Sequence, residues 1–335
     1  MAPPSRPEGF REGRGWGRIP PVLLYGGRVA TMISCRGHYT MDVYYKYYSY
    51  LKPEHLINPT IKLSQPAILN DPFERFIPED AAELLLVQCC DAIQKQQKDV
   101  DDDMRLSIKS IFTLTPSNVG IVSLSETHRN LLMWAHYADS HRGICIGYKN
   151  DFLSSLTPPD IDDGITSLTP LKVNYDSCRF DSYKFKSQAQ IFNDVIMSSL
   201  LTKSNDWIYE KEHRCIVPFT WADKVIINGE ISHCSFSTFM SDDALKSYHG
   251  NIYSLKNEFS SLYNIFSHQA NAILLKDIKP ESICELYLGS NISESYRQSI
   301  FNVIREHRDL LGHIRLYGYQ PSKRRFELEQ YPISI

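Results

Sequence analysis

Residues 119–148 read VGIVSLSETHRNLLMWAHYADSHRGICIGY, a β-favouring run, a helix-periodic run and a second β-favouring run, punctuated at both joints. The pattern predicts a strand through Val122 and a Ser123-x-x-Glu126 capping box. A helix follows with Leu131, Trp134, Ala135 and Ala138 inward, stopped at Gly143, and ICIGY resumes as strand. Both kinds of signal within one short stretch place the chain among mixed α and β proteins.

The remainder agrees. VYYKYYSYL reads as a strand running into a turn at Pro53, and IKLSQPAILNDPFERF as a short strand followed by an Asn-Asp-Pro turn. Ala82, Leu85, Leu86, Cys89, Cys90 and Ile93 recur at helical spacing, predicting an amphipathic helix over 79–98 that DVDDDM ends in a solvated loop. LKVNY restores strand, and Ile191, Phe192, Val195, Ile196, Ser199 and Leu200 form another helical stripe. A helix near 243–266 is expected, then strand SICELYLG, a Ser293-capped helix to about Arg308, and strands HIRLYGY and RFELE. Strands and helices mix irregularly, without the alternation of a doubly wound sheet. The expected fold is α+β, with a mixed, mostly antiparallel sheet core and helical insertions. The domain reading is a single unit over 41–335. Residues 1–40, with six Arg, two Glu and no Lys among many Gly and Pro, read as a disordered extension or an upstream translation start.

Net charge is -3 over 335 residues, so no global basic field points to nucleic acid. The eight Cys are scattered, with no Cys-x-x-Cys; a reducing, cytoplasmic setting with no disulfide framework and no metal site is expected. No apolar run has the length of a membrane span, so no membrane partner is expected. A Gly-rich phosphate loop, a His-Glu-x-x-His helix and a Gly-x-Ser-x-Gly elbow are all missing from the sequence, which removes the usual kinase, zincin and hydrolase readings.

Chemistry concentrates in NDWIYEKEHRCIVP, residues 205–218. Read as one strand, it puts Ile208, Glu210, Glu212, Arg214 and Ile216 on one face, with Trp207, Tyr209, Cys215, Val217 and Phe219 on a core face. Carboxylates at i and i+2 would lie roughly 6.5–7 Å apart with a guanidinium one step beyond, either a tuned pair or a polar outer strand face. Asn70, Asp71 and Glu74 fall on a turn, and His136 and Tyr137 on a helix with His141 and Arg142 at its end.

Taken together, YYKYYS, ILNDPFE, the 119–148 stretch, VNYDS, KSNDWIYEKEHR and ICELYLGS resemble domain-of-unknown-function family 2971, in order over most of residues 43–320. The layout is also similar to ADP-ribosyltransferase-like NAD enzymes, among them bacterial toxins and phage-defence effectors. That resemblance implies NAD as substrate, an acceptor that is protein, nucleic acid or water, Glu212 as catalytic carboxylate and Glu210 as its partner. It also implies contacts to NAD from Tyr45, Lys46, Tyr47, Asn70, Asp71, Trp134, His136, Tyr137 and Arg214. Two departures stand out: no Ser-Thr-Ser stretch precedes the Glu pair, and neither Arg nor His holds the first position. Two other readings compete. One is a nuclease with Asp71, Glu210 and Glu212 around Mg²⁺ and Lys211 or Arg214 at the phosphate, although alternation points Lys211 away. The other is a non-catalytic sensor or binding domain.

Overall fold

β1 (Val43–Tyr48), β3 (Val119–Ser125), β4 (Ile144–Lys149) and β8 (Glu212–Pro218) form the middle of an eight-stranded sheet. β5 (Ser167–Lys172), β13 (Ile283–Leu288), β14 (Arg315–Pro321) and β15 (Leu328–Ile333) complete it, in the order β15-β14-β13-β4-β1-β3-β8-β5. The structure is a computed structural model describing residues 42–96, 99–114, 118–159, 164–185, 191–229 and 245–335. The expectation for residues 1–40 lies outside the described residues.

A second sheet takes the order β10-β11-β9-β12-β2, from β2 (Thr60–Leu63), β9 (Lys224–Ile227), β10 (Leu245–His249), β11 (Ile252–Leu255) and β12 (Ala272–Asp277). β6 (Asn174–Asp176) and β7 (Thr202–Ser204) make a small parallel pair. In the large sheet β13 and β14 pair in parallel and the other neighbours antiparallel. This is the α+β class with a mixed, mostly antiparallel core.

The helices are α1 (Glu79–Gln94), α2 (Asp102–Leu114), α3 (Leu131–Tyr137), α4 (Ile191–Leu200), α5 (Leu262–Ser267), α6 (Glu294–Glu306) and α7 (Arg308–Leu311). The stripe Ala82, Leu85, Leu86 and Cys90 is buried as its spacing predicts, and Ser293 caps α6 by accepting from the Tyr296 N–H. Among the described residues no helix is long and apolar enough to cross a membrane.

Several local expectations are corrected. Ser123 and Ser125 belong to β3, and the cap of α3 is Asn130, whose Oδ1 accepts from the Leu132 and Met133 N–H groups. Leu131 consequently faces outward, while Met133 and Trp134 turn in. α3 ends at Tyr137 rather than at Gly143, because Asp139, Ser140 and His141 all adopt positive φ. Asp102 and Asp103 begin α2, where acidic side chains suit the positive end of the helix. Of the helix expected near 243–266, residues 245–249 and 252–255 are strands instead, and α5 is one short piece at 262–267.

One hydrophobic cluster joins the two sheets and α6 through Tyr44, Leu63, Val122, Ile146, Val217, Leu274 and Ile304. The opposite face of the large sheet is covered twice. α1 and α4 pack over Ile121 and Ile216, while Trp134 of α3 packs with Tyr47, Cys145, Tyr287 and Tyr319. Between these two covers the face stays open.

Candidate functional site

The opening arises from how the sheet splits. β3 pairs continuously with β8, but its other edge is shared: β1 meets it at Ser125, and Ser64, just past β2, bridges to Ile121. At Ser123, between these points, the carbonyl accepts from Lys46 Nζ at 2.9 Å. An ammonium thus takes the place of a strand partner, satisfying a backbone acceptor that would otherwise be left bare. The cavity there holds about 310 Å³ and is lined from both diverging strands, by Tyr45, Lys46 and Tyr47 on one and Lys62 on the other. Glu210, Glu212, Lys203, Tyr137 and Asn70 close it.

The carboxylate pair is real, but its geometry differs from a strand face. Residues 205–210 form a 3-10 helix, begun at Ser204, and Lys211 sits in the left-handed region at φ 48°. β8 starts only at Glu212. The 3-10 turn is tied down from the β3–α3 connection. Ser125 Oγ donates to the Glu210 carbonyl at 2.7 Å, and Asn130 Nδ2 to the Tyr209 carbonyl at 2.7 Å. Trp207 and Tyr209 therefore do not form a core face with Cys215 and Val217, and Ile208 is exposed. β8 is buried along its whole length, because a central strand is covered on both faces, so no solvated strand face exists at Glu212 and Arg214.

What joins the two carboxylates is Lys203, on β7. Its ammonium donates to Glu210 Oε2 at 2.6 Å and to Glu212 Oε2 at 3.2 Å, with all three side chains buried. Arg214 grips Glu212 with two bonds, Nε to Oε1 and Nη2 to Oε2, both 2.8 Å. Its remaining donors go to the Leu200 carbonyl at 2.7 Å and to Glu74. On the cleft side, Tyr137 donates its hydroxyl hydrogen to Glu210 Oε1 and accepts from Asn70 Nδ2 at 2.9 Å. The row Asn70, Tyr137, Glu210, Lys203, Glu212, Arg214, Glu74 is thus one continuous chain of donors and acceptors.

Burial opposes ionisation of Glu212, but the Arg214 guanidinium and Lys203 overcome it and hold the carboxyl down at about 2. Burial likewise opposes the charge on Lys203, and the carboxylates around it reverse this and raise its pKa. Burial raises the carboxyl of Glu74, which Arg214 only partly offsets. The phenol of Tyr137 is pushed up by burial and by its bond to Glu210, so it stays a donor. Lys46 is pushed down to about 8, chiefly by burial, with Lys62 adding to it while Glu212 opposes.

Of the expected site residues, Glu210, Glu212, Tyr45, Lys46, Tyr47, Asn70 and Tyr137 converge on this cleft. Four do not line it. Trp134 is fully buried beneath it, with its indole N–H on the His128 carbonyl, and His136 is exposed on α3. Asp71 caps the next turn through the Phe73 N–H and lines a neighbouring cavity of about 230 Å³. Arg214 is sealed behind Glu212. Sequence reasoning missed Lys62 and Lys203. Lys203 opens the KSNDWIYEKEHR motif, whereas Lys62 gives no signal beyond a lysine in a short strand. Among the described residues no group of three or more His, Cys, Asp or Glu is placed to hold a metal ion.

The α+β fold thus carries a buried, cross-linked carboxylate pair in a cleft of about 310 Å³ at a split in the sheet. Residues 133–215, which include most of α3, Lys203 and the Glu pair, match the family described as "Protein of unknown function (DUF2971)". The match supports the family resemblance read from the motifs. Comparison with curated proteins and with solved structures returned no match.

Proposed function

We propose that this cleft binds NAD by its nicotinamide riboside half and breaks the bond between nicotinamide and ribose, passing ADP-ribose to an acceptor or to water. The observation carrying this reading is the convergence of two ionisable carboxylates, three lysines and three tyrosines on one cavity of about 310 Å³. That volume lies at the lower end of the usual ligand-pocket range, so it suits half of a dinucleotide.

The chemistry follows from charge. As the glycosidic bond lengthens, nicotinamide leaves with the bonding pair and positive charge develops on the ribose. A fixed carboxylate stabilises that charge best in a site that excludes water. The layout resemblance gives this role to Glu212, but the lone pairs of Glu212 are largely taken by Arg214 and Lys203. Glu210 carries one bond on each oxygen, leaving acceptor capacity toward the cleft. We therefore assign Glu210 the contact with the reacting ribose and the acceptor's proton, and Glu212 the positioning of Lys203. An NAD-consuming activity would suit a toxin or defence effector.

The test is nicotinamide release from NAD by the purified full chain. Glu210→Gln is expected to lower kcat by about 10²-fold or more, within the usual range for removing an acid–base group. No release by the wild type under any acceptor condition would overturn the reading, as would full activity in Glu210→Gln. A second reading, ligand binding without turnover, draws on the saturation of Glu212 by cations and predicts tight ADP-ribose binding with no release. For the nuclease reading, Asp71 turns to the neighbouring cavity and Lys203 and Arg214 already neutralise the Glu pair.

A further inference from the structure

Five charged side chains, Glu74, Lys203, Glu210, Glu212 and Arg214, are linked by ion pairs in the buried network. Two cations at the same cleft stand outside it. Lys46 donates only to the backbone carbonyl of Ser123, and Lys62 makes no hydrogen bond or ion pair with any described residue. They come from β1 and β2, the two strands that part at the edge of β3, and both line the same cavity. Each costs the fold desolvation and repels the other, with nothing in the protein to compensate at Lys62. Leu63 and Ile61, on either side of Lys62, face the core, so strand alternation fixes Lys62 toward the cleft.

We propose that Lys46 and Lys62 form a subsite for a diphosphate group, with Lys62 as its principal cation. Lysine donates from a flexible stem to phosphate as a point charge, and two such donors across a gap straddle a diphosphate. The subsite lies beside the carboxylate pair, so a ligand held there presents its sugar to Glu210. This rests on the NAD reading only for the identity of the ligand carrying the diphosphate.

The experiment is calorimetric titration of the full chain with inorganic pyrophosphate and with ADP-ribose, on wild type, Lys62→Ala and Lys62→Arg. Because Lys62 has no bonding partner among the described residues, its replacement is expected to leave the fold intact. Both ligands are expected to bind wild type, to lose about 10- to 100-fold in Lys62→Ala and to recover most of it in Lys62→Arg, the loss of one charged hydrogen bond. Tighter binding of ADP-ribose than of pyrophosphate would identify a nucleotide diphosphate rather than the free anion. Equal pyrophosphate affinity in wild type and Lys62→Ala, or none in wild type at millimolar concentration, would overturn the subsite. Lys62-dependent pyrophosphate binding without nicotinamide release would remove the NAD reading and keep the subsite. Nicotinamide release with an unchanged KM in Lys62→Ala would do the reverse.

Discussion

Lys203 lies between Glu210 and Glu212 and bonds to both. A lone buried ammonium would shed its proton, and two adjacent carboxylates would share one. Interleaved, with Arg214 beyond, Lys203 is held protonated and Glu212 ionised. The acid response of the molecule should reflect this. Burial lowers the imidazoles of His55 and His128 to about 4, from an ordinary value of 6.5. As pH falls the unfolded chain takes up those protons first, so stability is lost between about 6.5 and about 4. Glu212 has its folded value lowered from 4.5 to about 2, so its contribution is complete above 4.5 and disappears as pH falls toward 2. The melting temperature is therefore expected to drop in two stages on acidification. A flat profile from pH 6.5 to 4 would contradict the burial of the two histidines.

At the scale of elements, the β3–α3–β4 unit carries the cleft's back wall, and its tightest point is Gly143. A Cβ there would lie 2.0 Å from the Tyr48 carbonyl oxygen and 2.9 Å from that of Ser49. Both are backbone atoms at the end of β1, which cannot step aside as a side chain would. Gly143→Ala is expected to cost about 3 kcal/mol, the upper end for overpacking, measured from the urea midpoint. An unchanged midpoint would show that β1 and β4 separate easily. The sequence placed a glycine requirement here and assigned it to a helix stop, whereas its origin is close backbone approach. Helices α1, α4 and α6 were legible because apolar spacing or a serine cap marks each of them. The 205–210 turn was not. Its charged residues alternate as a strand's would, and the break depends on Lys211 at positive φ, a conformation the residue type does not announce. Lys62 and Lys203 stayed hidden for a different reason. Lys62 lies far from the Glu pair in sequence and reaches it only where β1 and β2 part at β3, whereas Lys203 is near in sequence but on β7, before the 205–210 turn that folds the Glu pair back onto it.

For the whole molecule, one sheet face is covered at two places by separate hydrophobic clusters, and the interval between them is the cleft. The side chains of the proposed site come from β1, β2, β7, β8, α3, the 205–210 turn and the connection at Asn70. A crystal structure of the full chain grown with ADP-ribose would show directly whether this cleft holds the ligand. The ribose is expected against Glu210 and Tyr137, and the diphosphate between Lys46 and Lys62, in the gap where β1 and β2 part from β3. ADP-ribose bound at another surface with this cleft empty at saturating concentration would contradict the account.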